Sequence, residues 1–351
     1  MSSEGQVAHA PRLLLVLMGS LGDVTRGLYL VDAIKASIPQ ARITWLVEPA
    51  CEAVVRLHPH IDDIIVFQRR AGVRGILGLR QELRKRQFDV TLDLQRHAKS
   101  GLFSWLSRAP RRIGFSRSDA KEGNWFFNTE HIPARGELIS KIEHYLLFLD
   151  ALKVPRPSVL SSGLRDVKLA EPRDWEPALS GGYIGLVLGS SWDSKDWPEE
   201  GYNVLIDSLL AEGQEKIVLI GDRTKVDMAS RLLEVARRKE GIVNLVGRTT
   251  LRDLVVVLKG ARLCIGPDSG PGHLCGAVGT PHVTLFGPTP VVRNVPQGSD
   301  QLALTSAVGC APCKRRVCPG LGKVCMKLIS PQAVLAMVHE IRLQRPGNYS
   351  A

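Results

Sequence analysis

The 351-residue sequence has no apolar run approaching the roughly 20 residues that a helical membrane span needs. Its first apolar stretch, Leu13–Met18, has the length of a strand and not of a signal-peptide core. The first ten residues are polar and read as unstructured. These features place the chain in the cytoplasm. No G-x-x-x-x-G-K-[ST] occurs, which argues against a P-loop nucleotidase. No strict G-x-G-x-x-G follows the first apolar run, so a dinucleotide site of the usual kind is also disfavoured. Asp-x-Asp is absent, and with it a common carboxylate pair for holding a divalent metal. No internal repeat of 20–50 residues is visible. Cysteines number seven, an odd count, and Cys264 and Cys275 lie in apolar contexts. Reduced thiols fit this better than a disulfide framework.

What is present is an alternation of short apolar runs with helical patterns. Leu13–Met18, Ile43–Val47, Ile64–Phe67 and Val90–Leu94 read as strands. Helices are expected from Asp23 to Ser37, Pro49 to Leu57, Gly75 to Arg86 and Glu137 to Leu152. The stretch 153–182 carries four prolines and a Gly-Gly and reads as a linker. The alternation then restarts. Strands are expected at Tyr183–Leu188, Lys216–Ile220, Leu263–Ile265 and His282–Phe286, with helices between them. Ser330 and Pro331 cap a last helix, Gln332–Arg342. The fold class is α/β: two doubly wound domains with parallel sheets covered on both faces. The expected domains are 1–172 and 173–330, followed by a C-terminal helix within 331–351.

In such sheets ligands sit beyond the carboxyl ends of the strands. After the first strand comes GSLGDVTRG, with Asp23 at the helix start, either as a helix N-cap or as a carboxylate that takes a proton from a hydroxyl. After Leu188 comes GSSWDSKDWP, whose Ser190, Ser191 and Lys195 suit a phosphate or diphosphate. Asp222 follows the next strand, as a cap or as a partner for ribose hydroxyls. After Ile265 comes GPDSGPGH. Asp268, Ser269, Gly270, Gly272 and His273 gather there where the chain turns into a helix. Its backbone N–H groups and dipole favour an anion.

Charge is also unevenly placed. The net charge is +11, and Arg69–Lys121 holds fourteen basic residues against four acidic ones. These are solvated helix faces or a docking surface for an anionic partner: nucleic acid, phosphorylated lipid or an anionic membrane. Cys310, Cys313, Cys318 and Cys325 fall within sixteen residues, a density that admits a zinc or iron site or four reduced thiols.

GPDSGPGHLCGAVGTPHVTLFGPT closely resembles the signature of the ADP-heptose:lipopolysaccharide heptosyltransferases, glycosyltransferase family 9. MGSLGDVTRGL resembles the family's N-terminal motif, and GSSWDSKDWP its donor-side loop. Order and spacing fit over roughly Arg12 to Glu340. Gly272 and Cys275 depart from the pattern, standing where bulkier or Ala residues are usual. The resemblance implies a GT-B fold: two Rossmann-like domains facing across a cleft, acceptor on the first and nucleotide sugar on the second. It implies that the last helix crosses back onto the first domain.

It further implies an inverting, metal-independent transfer of heptose from ADP-L-glycero-D-manno-heptose to Kdo-lipid A or its heptosylated form. Asp23 then matches the general base and Asp268 a contact to the donor sugar. Ser190, Ser191, Lys195, Ser269, Gly270, Gly272 and His273 would hold the diphosphate, and Asp222 lies near the ribose. Arg69, Arg70, Arg96, Lys99, Arg117 and Lys121 would face the anionic acceptor, with the protein attached peripherally to the inner membrane and no nucleic acid involved. Catalysis would need no cofactor. A related branch that glycosylates proteins carries Cys-bound iron, so the four clustered cysteines are a candidate structural metal site. The competing readings are transfer of another sugar, such as an N-acetylhexosamine, by the same fold; a non-catalytic nucleotide-sugar sensor; and a basic nucleic-acid-binding α/β protein.

Overall fold

A computed structural model of the chain describes residues 10–344. The reading of the first ten residues falls, except for Ala10, outside them. The chain divides into two units, Met1–Gly163 and Leu164–Ala351.

In the first unit, Arg12–Val16 (β1), Arg42–Val47 (β2), Asp63–Val66 (β3), Val90–Asp93 (β4), Arg111–Gly114 (β5) and Glu130–His131 (β6) form one parallel sheet. Its order is β3-β2-β1-β4-β5-β6. β1 lies between β2 and β4, with Leu13 opposite both Ile43 and Val90. Consecutive residues of β1 and β2 are buried, so both faces of the sheet are covered.

In the second unit, Tyr183–Val187 (β7), Lys216–Ile220 (β8), Ile242–Asn244 (β9), Leu263–Pro267 (β10), His282–Phe286 (β11) and Ala303–Thr305 (β12) form another parallel sheet. Its order is β12-β11-β10-β7-β8-β9. Every residue of β7, β10 and β11 is buried. The α/β class and the two Rossmann-like sheets are as the sequence led us to expect.

Two details differ. The junction falls at Gly163/Leu164, ahead of the expected 172/173, because the linker's second half is tied to the second unit. Leu164 is fully buried, Lys259 donates to the Val167 carbonyl at 3.3 Å, and Arg173 pairs with Asp253 at 3.0 Å. The last helix, Pro331–Gln344, expected against the first unit, has its buried residues in the core of the second. Val334, Val338 and Ile341 lie in the core beside Leu205 and Leu209 of helix Glu199–Glu212. Arg342 pairs with Glu212 and, at 2.5 Å, with Glu215. Ser330 caps this helix as expected, accepting from Ala333 N at 3.2 Å.

Candidate active site

Both sheets reverse their winding at one point: between β1 and β4 in the first unit, between β7 and β10 in the second. The loops leaving those strands diverge and open a crevice at the carboxyl edge. Each holds a cluster of charged side chains.

In the second unit the loop after β7 carries Lys195 and the loop after β10 carries Asp268. Lys195 Nζ donates to Asp268 Oδ2 at 2.8 Å and to its carbonyl at 3.1 Å. The ammonium also lies 4.6 Å from the centre of the Trp192 ring. Thr289, just after β11, donates to Asp268 Oδ2 at 2.8 Å. His273 Nε2, in the first turn of helix Gly270–Val278, lies 3.5 Å from Asp268 Oδ1. Asp268 is only 5% exposed. Burial would raise its pKa, but the His273 hydrogen bond and the Lys195 and His273 charges reverse this and hold it far below the ordinary carboxylate range.

Ser269 stands at the N-cap of helix Gly270–Val278, yet its side chain makes no capping bond. Its Oγ is buried without a hydrogen-bond partner among the described residues. A buried hydroxyl left so is costly unless a ligand uses it. It sits beside the first N–H groups of a helix, where an anion is favoured. Gly272 is required here: a Cβ would come within 2.9 Å of the His282 ring behind the helix. His282 is fully buried, and burial with the neighbouring His273 charge pushes its pKa down to about 3.

The remaining residues expected here divide. Ser190 lies in the same loop, but its hydroxyl serves the loop itself, donating to the Trp192 carbonyl at 3.0 Å and accepting from Trp192 N at 3.1 Å. Ser191 is exposed. Asp222 is exposed and caps its own turn, accepting from Thr224 N at 2.8 Å, which is the cap alternative. Three residues escaped the sequence reading: Thr289, Asp196 and Lys225. Asp196 Oδ1 accepts from Ser190 N at 2.8 Å, and Asp196 Oδ2 pairs with Lys225 at 2.5 Å. Lys225 lies against Gly189, whose φ of +81° disfavours any side chain there. Thr289 follows a strand end, so the strand-end rule itself could have found it.

In the first unit Asp23 is not the N-cap. Helix Leu21–Ser37 starts two residues earlier, with Ser20 as cap. Asp23 Oδ1 instead accepts from Lys141 at 2.7 Å and Arg26 at 2.8 Å. Both cations hold that oxygen in place and so orient the carboxylate. The loop before it is tied to the loop after β4: Gln95 Nε2 donates to the Gly19 carbonyl at 2.9 Å. That second loop is set by Asp93, which is fully buried and accepts from Asn124 at 2.6 Å. Burial raises the Asp93 pKa to about 7, despite hydrogen bonds from Asn124, Ser100 and Asn128.

The basic residues read as acceptor contacts occupy loops and helices that follow strands of the same sheet. Arg69 and Arg70 are exposed after β3. Arg96 donates to the Asp119 carbonyl at 3.3 Å and accepts at its own carbonyl from Lys121 N at 2.6 Å, bringing those loops together. Arg117 stacks on Trp125 at 5.0 Å. Lys99 is committed to Glu48 at 2.6 Å.

Cys310, Cys313, Cys318 and Cys325 are free thiols lining one cavity of about 280 Å³. No three of their sulfurs lie within 4.8 Å of one another. Around one tetrahedral ion all four would be about 3.8 Å apart. They do not form a ligand set as they stand. The same segment braces the loop that carries Lys195: Ser194 N donates to the Arg316 carbonyl at 3.1 Å, and Ser194 Oγ to that of Arg315 at 2.6 Å.

The sequence profile of Glycosyltransferase family 9 (heptosyltransferase) matches residues 76–323. The chain belongs to that family. This glycosyltransferase is 30% identical to lipopolysaccharide heptosyltransferase 1 of Pseudomonas aeruginosa, over 88% of this chain and 87% of the relative. It is 26% identical to the lipopolysaccharide core heptosyltransferase OpsX of Haemophilus influenzae, over 82% of each. Among solved structures, Escherichia coli heptosyltransferase WaaC with ADP shares its fold, with a TM-score of 0.76 and 23% identity over 94% of this chain and 99% of that one.

Proposed function

We propose that this family 9 glycosyltransferase transfers heptose from ADP-L-glycero-D-manno-heptose to a lipopolysaccharide inner-core acceptor, Kdo-lipid A or heptosyl-Kdo-lipid A. The relatives named above act in lipopolysaccharide synthesis, and one solved relative holds ADP. The observation that carries the donor assignment is the Lys195–Asp268–His273–Thr289 cluster beside the unpartnered Ser269 hydroxyl at a helix N-terminus.

The acceptor hydroxyl attacks the anomeric carbon on the face opposite the diphosphate. The new C–O bond forms as the bond from that carbon to the phosphate oxygen breaks, and the configuration inverts. Asp23 takes the hydroxyl proton. The electron pair leaves with ADP, whose growing charge must be stabilised in place. An ammonium has three donors, and Lys195 directs two at Asp268. The third serves the diphosphate, together with the N–H groups at the start of helix Gly270–Val278. Asp268, kept ionised, is an acceptor for a sugar hydroxyl. Ser190 and Ser191 offer the loop's edge to the diphosphate, and Asp222, which caps its own turn, would meet the ribose with its free oxygen. Catalysis in this scheme uses no metal, and the protein works at the inner-membrane surface, where such an acceptor is embedded.

The test is nucleotide release from a panel of ADP- and UDP-sugars with Kdo-lipid A and its heptosylated form. ADP is expected from ADP-heptose and from no UDP-sugar. Release from UDP-sugars alone, or from no ADP-sugar, rejects the reading. Elemental analysis of protein purified without chelator is expected to find less than one zinc or iron per chain. A stoichiometric content means that Cys310, Cys313, Cys318 and Cys325 close around an ion, as a structural site.

A further inference from the structure

Helix Gly72–Arg86 has one face in the core and, about 120° round the helix from it, an exposed face where apolar side chains stand among basic ones. Leu79 and Leu83 are its buried residues. On the outer side Val73 is 73% exposed and Leu77 56%. Four residues apart, they stack on one side of the helix. At 100° per residue Arg80 flanks this pair on one side and Arg74 on the other. Arg69 and Arg70 lie in the turn just before the helix, and Arg74, Arg80 and Lys85 are exposed along it. Glu82 is the one acidic residue between Arg69 and Arg86, and it is already engaged by Lys85 and Arg86.

We propose that this face lies flat on an anionic phospholipid bilayer, with Val73 and Leu77 entering the headgroup boundary and the surrounding Arg side chains meeting lipid phosphates. The inference rests on the proposed reading that the acceptor is lipid-linked, and it names the element that reaches the lipid. Charge decides the occupant. An apolar pair ringed by Arg and Lys suits an interfacial helix on an anionic leaflet. A second copy of this basic face would repel it, and nucleic acid has no use for the apolar pair. The lipid is bulk anionic phospholipid and not the acceptor's own phosphates.

The test is cosedimentation with vesicles of phosphatidylcholine containing roughly a quarter phosphatidylglycerol, against phosphatidylcholine alone, with no sugar nucleotide present. Binding to the anionic vesicles alone is expected. Val73→Asp combined with Leu77→Asp should lower partitioning about tenfold or more. Arg74→Gln combined with Arg80→Gln should weaken it and flatten its salt dependence. Both pairs are on the surface, so an unchanged melting temperature confirms folding. Turnover of Val73→Asp/Leu77→Asp on a deacylated, water-soluble acceptor should equal that of the unsubstituted chain, while turnover on vesicle-embedded acceptor falls. Wild-type vesicle binding by the Asp pair overturns the proposal. So does a change in oligomeric state without a change in vesicle binding, which would assign the face to a second copy. Failure of the glycosyltransferase reading appears separately, as absent ADP release.

Discussion

Asp23→Asn is expected to lower kcat by about 10²–10⁴-fold while leaving the donor Kd unchanged. The amide keeps the size of the carboxylate and can still accept from Lys141 and Arg26, which hold Oδ1 at 2.7 and 2.8 Å. It cannot take the acceptor's proton. The donor residues lie in the other unit, so their affinity for ADP-heptose has no reason to change. Single-turnover rates with saturating donor, set beside donor binding by calorimetry, separate the two quantities. A variant with unchanged turnover removes Asp23 from the base role and leaves it as an anchor for Lys141 and Arg26. A loss of donor binding with turnover would mean that the first unit shapes the donor site.

Lys195→Ala should act on both function and fold. Removing a preorganised positive group from the leaving diphosphate costs about 10²–10³-fold in rate. The same change strips Asp268 of its cation. Lys195 and Asp268 side chains are 14% and 6% exposed, so the carboxylate stays buried with the pair broken. Breaking a buried pair this way costs about 3–5 kcal/mol. The Thr289 and His273 contacts remain and put the expected loss near the lower end. The pH dependence has a definite sign. Asp268 is held below its unfolded value, so its contribution is full above roughly pH 4 and is lost as the pH falls. Without Lys195 that contribution shrinks, and acid unfolding should begin at a higher pH. Denaturation at pH 7 and pH 4, read beside KM and kcat, checks this. A stable variant with unchanged donor affinity would show that Lys195 touches neither the diphosphate nor a charge that matters.

The sequence made the frame legible because its central strands are buried on both faces. Runs such as Lys216–Ile220 and His282–Phe286 are mostly apolar, and both strands have those bounds. The edge strands β6, β9 and β12, and β5 beside the first of them, were not read. They are two to four residues long and mostly half-buried, so neither length nor hydrophobicity sets them apart from loops. Helix Ala98–Leu106 was missed as well, its polar start giving no apolar period. In the site, Lys195, Asp268 and His273 could be named because they follow strand ends. That Lys195 grips Asp268 could not, since the two are 73 positions apart and meet only when β7 and β10 pair. The partners of the last helix in the second unit were hidden for a related reason. The helix's N-terminal signal, the Ser330 cap followed by Pro331, is local, whereas its partners Glu212 and Glu215 lie more than a hundred residues back.

Long-range ties of this kind also set an order of events while the chain is being made. The sheet of the first unit is complete once β6 has emerged, and helix Lys141–Leu152 follows at once. The donor loop has no such advantage. Trp197, two residues after Lys195, hands its indole N–H to the Ile329 carbonyl, and Ser194 is held by Arg315 and Arg316. Well over a hundred residues must leave the ribosome between the loop and these anchors. At ~5–20 residues per second, that is on the order of ten seconds. During that interval the nascent chain carries a finished first unit and an unbraced second one, with apolar strands β7 and β8 awaiting their cover. Translation pauses near residues 300–330 would lengthen this exposure, and chaperone demand in the cell should concentrate there.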